Sequence, residues 1–237
     1  MKRVLHFLVL TTSLLAAVIV PAFAGEIIDG VVASVNRHPI LRSDWGQAVR
    51  FEAFLQQKPV AEISARERIR ALQRLIDRQL IVAQMGDVNY MQPSEQRLQQ
   101  DVAKLRAQLP DAKDDAAWRR LLAGYGLDEQ LLKQHLRDEV QVMSFIEVRL
   151  RPNVHINEDD IASYYKDQLV PDLRQNGGNL VPLDAVKPRI QELLTQQRID
   201  ELLDSWLHNL RQQADIRSTV AIPGINAPPE TRAAGAN

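Results

Sequence analysis

Apolar residues recur at spacings of three and four along most of this chain of 237 residues, which is the period of an amphipathic helix. The clearest helix start is Ser64-Ala65-Arg66-Glu67, an S-x-x-E capping box that is followed by an apolar stripe from residue 69 to 81. Since 10 Gly and 12 Pro are too few for a turn-rich β sandwich, the sequence predicts a mainly α-helical fold. Further helix starts are predicted at Ser43-Asp44, Ser94, Asp128, Asn157 and Asp184.

Short β elements are predicted on either side of this helical region. Residues 31–35 and 39–41 are apolar and rich in β-branched side chains, and the polar residues 36–38 separate them. This pattern predicts a small N-terminal hairpin with a three-residue turn. Residues 216–220 are predicted to form a short strand near the other end of the chain.

Two helices are predicted after residue 157, with a polar loop between them. Pro171 is expected to end the first of these helices, because proline lacks a backbone N–H and clashes with the preceding turn. Gln175-Asn176-Gly177-Gly178-Asn179 is typical of a loop. The final helix, residues 183–213, would extend about 45 Å at the usual rise per residue.

Residues 1–24 have the features of a cleaved export signal. Met1-Lys2-Arg3 is positively charged, residues 4–20 are largely apolar, and Ala22-Phe23-Ala24 favours cleavage before Gly25. The alternative is an uncleaved membrane anchor, because the apolar run approaches the length of a spanning helix. The sequence therefore predicts export from a bacterial cytoplasm, to the periplasm or to the exterior. Because the chain has no Cys, its stability must come from a packed core.

The sequence contains no recognisable pattern of catalytic or cofactor-binding residues. Nucleophile-elbow, zinc-protease, phosphate-loop and dinucleotide motifs are absent. His135 and Glu139 have the spacing of half a metal site, but an intrahelical contact is the simpler interpretation. The acids at residues 158–160 suit a helix N-terminus better than a calcium loop. The sequence thus predicts no catalytic residue, no metal and no cofactor, and its 29 basic and 30 acidic residues argue against nucleic-acid binding.

Large, flexible apolar side chains are the remaining feature that indicates a function. Surfaces of Met and aromatic residues between helices adapt to varied apolar peptides. An ordinary place in the core is the alternative for each of these residues. Seven of them are predicted, as a set, to line a peptide-binding groove: Phe51, Phe54, Met85, Tyr90, Met91, Met143 and Phe145.

Four segments share their residues, order and spacing with one known family. Residues 29–44 contain D-G-V-V-A-S-V-N and then P-I-L-R-S-D, and residues 72–81 read L-Q-R-L-I-D-R-Q-L-I. Residues 154–165 contain a V-x-I-x-E-x-D-I-x-x-Y-Y segment, and residues 206–210 read W-L-x-x-L. These segments resemble the N-terminal domain of SurA-type periplasmic chaperones, in which a hairpin leads into a capped helix and a last C-terminal helix returns to pack on the domain.

One part of the family pattern is missing from this chain. The family normally has one or two parvulin-type prolyl isomerase domains after the N-terminal domain, but only 22 residues separate Tyr165 from Pro188 here. The resemblance therefore implies the chaperone module without the isomerase. It implies a signal peptide over residues 1–24, a SurA N-terminal-like helical domain over 25–170, a linker over 171–182, a C-terminal helix and short strand that complete the core domain over 183–220, and a disordered tail over 221–237.

The resemblance implies an ATP-independent periplasmic chaperone whose partners are unfolded or partly folded exported polypeptides. Outer-membrane proteins are candidate clients, whereas nucleic acid and stable membrane insertion after signal cleavage are not expected. Two alternatives stay open. One is a structural or regulatory protein that holds one specific partner, or that swaps its long C-terminal helix to form a homodimer. The other is a residual peptidyl-prolyl isomerase.

Overall fold

The computed structural model describes residues 29–86 and 92–223 of the chain. The predicted fold class is confirmed, because helices dominate and accompany a small N-terminal hairpin and a long C-terminal helix. The predicted signal peptide, Tyr90 and Met91 of the predicted groove, and residues 224–237 lie outside the described residues. The elements are β1 (Val31–Val35), β2 (His38–Leu41), α1 (Arg42–Leu55), α2 (Ala65–Met85), α3 (Glu95–Ala107), α4 (Asp115–Gly124), α5 (Glu129–Leu150), α6 (Glu158–Tyr164), α7 (Val170–Gln175), α8 (Leu183–Gln213) and β3 (Ile216–Ser218).

The N-terminal hairpin is joined by a tighter turn than the sequence predicts. Asn36 and Arg37 both have positive φ, +49° and +69°, which is the backbone of a two-residue mirror-image turn that suits the twist of a hairpin. His38 already pairs with Val35, so the predicted three-residue turn is wrong by one residue. The predicted strand near residue 216 is confirmed as β3, which pairs with β1 to give the order β2-β1-β3. The strand β3, which follows the last helix, therefore lies in the same sheet as the N-terminal hairpin.

Capping residues fix most helix starts as the sequence predicts. The Ser64 hydroxyl accepts the Glu67 backbone N–H, and the Glu67 carboxylate accepts the Ser64 backbone N–H at 2.7 Å. The hydrogen bonds from Ser64, together with Lys58, lower the pKa of Glu67 to about 2. At α1, Asp44 does not lie at the cap position but three residues inside, where its carboxylate accepts the Leu41 backbone N–H at 2.9 Å.

The helix that begins after Asn157 does not end at Pro171. A π-helical turn, Tyr165–Leu169, connects α6 to α7, and the helical backbone continues to Gln175. Pro171 lies in the first turn of α7, where its missing N–H interrupts the hydrogen-bond ladder least. The wider π turn directly before it lets the helix continue past the proline. The expected helix end at Pro171 is therefore wrong.

Buried side chains of the described residues form two large clusters that share α5. The main cluster joins the sheet to α2, the second half of α5 and α8, and includes Leu72, Ile76, Phe145, Ile199 and Leu207. The second cluster joins α1, α3, α4 and the first half of α5, and includes Phe54, Val102, Trp118, Leu122 and Leu132. Because α8 contributes to the main cluster, it is part of the core of the fold and not an appendage.

An ion pair fixes the far end of α8 against α2. The Arg211 guanidinium donates to both carboxylate oxygens of Asp77, at 2.7 and 2.6 Å. This hydrogen bonding raises the pKa of Arg211. A bidentate pair of partly buried charges fixes the relative orientation of the two helices and also stabilises their contact.

Within residues 29–86 and 92–223, no helix combines the length and the apolar character needed to cross a bilayer.

Candidate peptide-binding site

The described members of the sequence-predicted peptide-binding set lie in three different places. Phe51 and Phe54 pack in the second cluster, where Phe54 is only 1% exposed and contacts the rings of Trp118 and Tyr125. Phe145 is 3% exposed in the main cluster. In this conformation Phe54 and Phe145 therefore offer almost no surface to a ligand.

The two methionines of the set are more accessible. Met85 is half-buried against the main cluster, and Met143 on α5 is 43% exposed. The structure thus brings Phe51 together with Phe54, and Met85 together with the cluster of Phe145, but it does not gather the described five on one surface. Peptide binding by the seven residues stays a prediction.

A cleft of about 420 Å³ lies between the end of α5 and the second half of α8. Phe145 and Arg149 lie four residues apart on one face of α5, and both contact Trp206 of α8. Three apolar side chains and four polar ones form its walls. We call it the α5–α8 cleft, and its lining residues are Arg149, Leu150, Asn153, Leu202, Ser205, Trp206 and Asn209.

Trp206 is the largest side chain of the α5–α8 cleft, and two contacts fix its ring. The ring of the buried Phe145 lies 6.0 Å away at a tilt of 57°, and the Arg149 guanidinium carbon lies 4.9 Å from the ring centre. Trp206 is half-buried, so part of the indole remains available to a ligand. A large aromatic side chain that is pre-positioned in this way loses little conformational entropy when it binds.

The α5–α8 cleft is lined by a single charged side chain, which is positive. Arg149 is the one charged residue in the lining, and no acid lines the cleft. Arg151, two residues further along the chain, instead forms ion pairs with Glu192 and Glu147. The hydrogen bonds to these carboxylates raise the pKa of Arg151. The α5–α8 cleft therefore combines an apolar wall with one guanidinium that has no carboxylate partner among the described residues.

Comparison of the sequence with known protein families gives a match. The model of the SurA-like N-terminal domain matches residues 2–145, which is more than half of the chain. The chain belongs to this family. No curated protein matches the sequence, and no parvulin domain is detected in it.

The SurA-like N-terminal domain is a chaperone-type domain and not a catalytic one. Its match ends at residue 145, within α5, and all seven lining residues of the α5–α8 cleft, the first of which is Arg149, lie beyond the matched residues. Both walls of the cleft, the last turn of α5 with Asn153 on one side and α8 on the other, are therefore outside the segment that the family model matches. Among the residues that the structure describes, no group of three or more His, Asp or Glu side chains is placed to hold a metal ion.

The sequence patterns do not single out the polar residues of the α5–α8 cleft. Trp206 is visible in the sequence as part of the W-L-x-x-L motif, but Arg149 and Asn209 look like ordinary solvent-facing positions of their helices. Periodicity gives the apolar face of one helix, but not which residues of a distant helix meet it. A large aromatic residue near a cationic residue becomes informative only when the two helices are placed side by side.

His135 is a second unusual polar group, and it lies beside the sequence-predicted residue Phe51. The two rings stack at 4.5 Å, and the imidazole Nε2 is buried without a hydrogen-bond partner. The intrahelical contact that the sequence suggests between His135 and Glu139 is not formed. Burial, followed by the nearby positive charge of Arg78, lowers the pKa of His135, and Asp138 opposes this effect.

The buried imidazole predicts a loss of stability in mild acid. Because the folded state lowers the pKa of His135, the unfolded chain binds more protons, and stability falls as the pH drops through 6.5, the ordinary value. Replacing His135 by Phe keeps the ring stack and removes the titration. Thermal unfolding between about pH 7.5 and pH 5 should therefore show a smaller loss for His135→Phe than for the wild type.

The exposed His155 provides the matched control, and His155→Gln should keep the full pH dependence of the wild type. An unchanged pH profile in His135→Phe would show that the buried imidazole does not cause the acid sensitivity.

Proposed function

We propose that this protein is an ATP-independent periplasmic chaperone that binds unfolded or apolar segments of exported polypeptides, without prolyl isomerase chemistry. The α5–α8 cleft carries the proposal, because it leaves apolar side chains of two core helices open to a ligand. Family membership supports it, since the SurA-like N-terminal domain is a chaperone-type domain. The signal-like residues 1–24 support export, and outer-membrane proteins are the proposed clients.

The dimensions of the α5–α8 cleft favour weak and reversible binding. Its volume of about 420 Å³ suits a few side chains rather than a folded domain. Covering about 300 Å² of apolar surface would contribute roughly 7.5 kcal/mol at the usual 25 cal/mol per Å². Ordering a flexible client and losing its translational freedom cancel much of this energy. Release therefore needs no nucleotide, which suits a compartment without ATP.

Some of the seven residues that the sequence predicts for peptide binding add further contacts to the proposed client surface. Met143 and Met85 offer flexible apolar surface beyond the α5–α8 cleft. Tyr90 and Met91, which lie between α2 and α3 in the sequence, complete the proposed contact set. Phe51, Phe54 and Phe145 act through the packing of the helices that carry the other residues.

Aggregation of an unfolded client tests this function directly. Denatured porin is diluted into buffer with the mature chain, residues 25–237, and light scattering is followed. We expect suppression at about equimolar ratio, because a holdase without an energy source acts stoichiometrically. Full scattering at a several-fold excess, together with no binding to any of several unrelated apolar peptides, would overturn the proposal.

Two further readouts separate the alternatives. A proline-limited refolding reaction with catalytic amounts of the protein should show no acceleration, and acceleration would indicate an isomerase. One tight partner in a pull-down, without any effect on aggregation, would instead favour the structural or regulatory alternative. Sedimentation of the mature chain reports a helix-swapped homodimer.

A further inference from the structure

We propose that the α5–α8 cleft binds the C-terminal residue of a polypeptide, with its apolar side chain against Trp206 and Leu202 and its α-carboxylate on Arg149. This inference rests on the proposed function of the same cleft and specifies which part of a client it prefers. It predicts that a chain end binds more tightly than an internal segment of the same composition.

The charge of Arg149 is the first step in this inference. The guanidinium is held above the Trp206 ring, 4.9 Å from its centre, at the wall of the cleft. No carboxylate among the described residues forms an ion pair with it, whereas Arg151, two residues further on, is shared between Glu147 and Glu192. A guanidinium is always charged and presents a planar fork of donors that matches a carboxylate. The guanidinium of Arg149 is therefore available to pair with a carboxylate of a bound chain.

Polar side chains around Arg149 supply further donors. Ser205 and Asn209 line the cleft from α8, and neither side chain makes a hydrogen bond to another described residue. Asn153 donates its amide N–H to the backbone carbonyl of Arg149 at 3.1 Å, which fixes the start of the turn after α5. A carboxylate accepts about four hydrogen bonds, whereas an internal peptide carbonyl is neutral and accepts two. The donors in the cleft therefore favour a free chain end over an internal segment.

The apolar wall selects the side chain next to that carboxylate. Leu150, Leu202 and the indole of Trp206 face the same space as the guanidinium. A single cation with three apolar neighbours suits one negative charge next to an apolar group. Phosphate groups carry more charge and are usually held by several cations or by helix N-termini. The ligand chemistry is thus a monocarboxylate joined to an apolar side chain, as at the end of an apolar polypeptide.

Two peptides that differ only in their C-terminal group test the proposal. A fluorescent ten-residue peptide ending in Leu is prepared with a free carboxylate and with a C-terminal amide, and binding to the mature chain is measured by anisotropy. We expect the free acid to bind about fivefold more tightly, the range for a partly exposed charge-assisted contact. The preference should decrease as salt is added, because the pair is partly exposed.

Variants assign the preference to Arg149. Arg149→Gln should remove the difference between the acid and the amide, and Arg149→Lys should keep part of it because the charge remains without the planar fork. The matched control is Arg198→Gln, which removes an exposed arginine of α8 that pairs with Glu201 and should keep the full preference. Circular dichroism verifies that each variant is folded. If Arg149→Gln is not folded, the assignment is tested by Arg149→Lys, in which an unreduced preference would contradict it.

The outcomes separate this inference from the function on which it rests. Equal affinity for the acid and the amide, with aggregation still suppressed, would overturn the chain-end preference and leave the chaperone function standing. Failure of both peptides to bind, with no suppression of aggregation, would overturn both. Displacement of the acid peptide by inorganic phosphate at comparable concentration would also overturn it, because the cleft would then bind anions in general.

Discussion

Replacing Ile199 by Ala should lower the free energy of unfolding by about 3 kcal/mol, within the range of large-to-small changes in a core. Ile199 is 1% exposed and lies in the main cluster, where α8 packs against α2, α5 and the sheet. The substitution removes apolar contacts and leaves a cavity that rigid neighbours cannot fill. Urea denaturation followed by far-ultraviolet circular dichroism measures the change.

Leu193 on the same helix is the matched control. It is 41% exposed, so Leu193→Ala should cost less than about 1 kcal/mol. Both substitutions place the same good helix former in α8, so the difference between them reports tertiary packing and not helix propensity. Similar losses for the two variants would show that α8 does not pack on the domain as the structure describes.

This pair also illustrates the limit of sequence-based prediction for α8. Leu193 and Ile199 belong to one apolar stripe, and the stripe correctly predicts a long amphipathic helix. It does not reveal that the helix meets different neighbours along its length, so that one member of the stripe is buried and the other is not. Local signals such as the Ser64 capping box are complete within a few residues, which is why they predict the helix start so well.

Pro171 shows the opposite failure, in which a strong local signal gives the wrong answer. Proline disfavours a helix interior by removing a donor and by steric clash. Here the π turn Tyr165–Leu169 precedes it and α7 continues to Gln175. A sequence pattern contains no information about such a local change in helix type, because its cost is offset by surrounding contacts.

The candidate site was the least predictable part of the molecule for a similar reason. Large apolar residues fill cores and also bind peptides, so Phe54 and Phe145 satisfy both descriptions, and the structure buries them. The α5–α8 cleft is instead defined by Arg149 and Trp206, which are distant in sequence and meet only because α8 returns to α5. Such a site depends on topology, which one sequence determines only through the whole fold.

Replacing Trp206 by Ala should weaken the binding of apolar peptides by roughly 30-fold, or about 2 kcal/mol, the size expected of a central aromatic contact. The substitution removes the largest apolar side chain of the α5–α8 cleft and the ring above which Arg149 is held. Trp206→Phe should retain much of the affinity, because it keeps an aromatic face beside Phe145. Fluorescence anisotropy with a labelled apolar peptide measures both affinities.

Leu55 provides the control for a general loss of apolar surface. It is 49% exposed at the end of α1, and Leu55→Ala should leave peptide affinity within about twofold of the wild type. Because Trp206 also packs on the main cluster, the Trp206→Ala protein is assayed well below its own unfolding midpoint. Wild-type affinity in folded Trp206→Ala would place client binding elsewhere on the molecule, and a parallel loss in Leu55→Ala would indicate nonspecific apolar adhesion instead of a defined cleft.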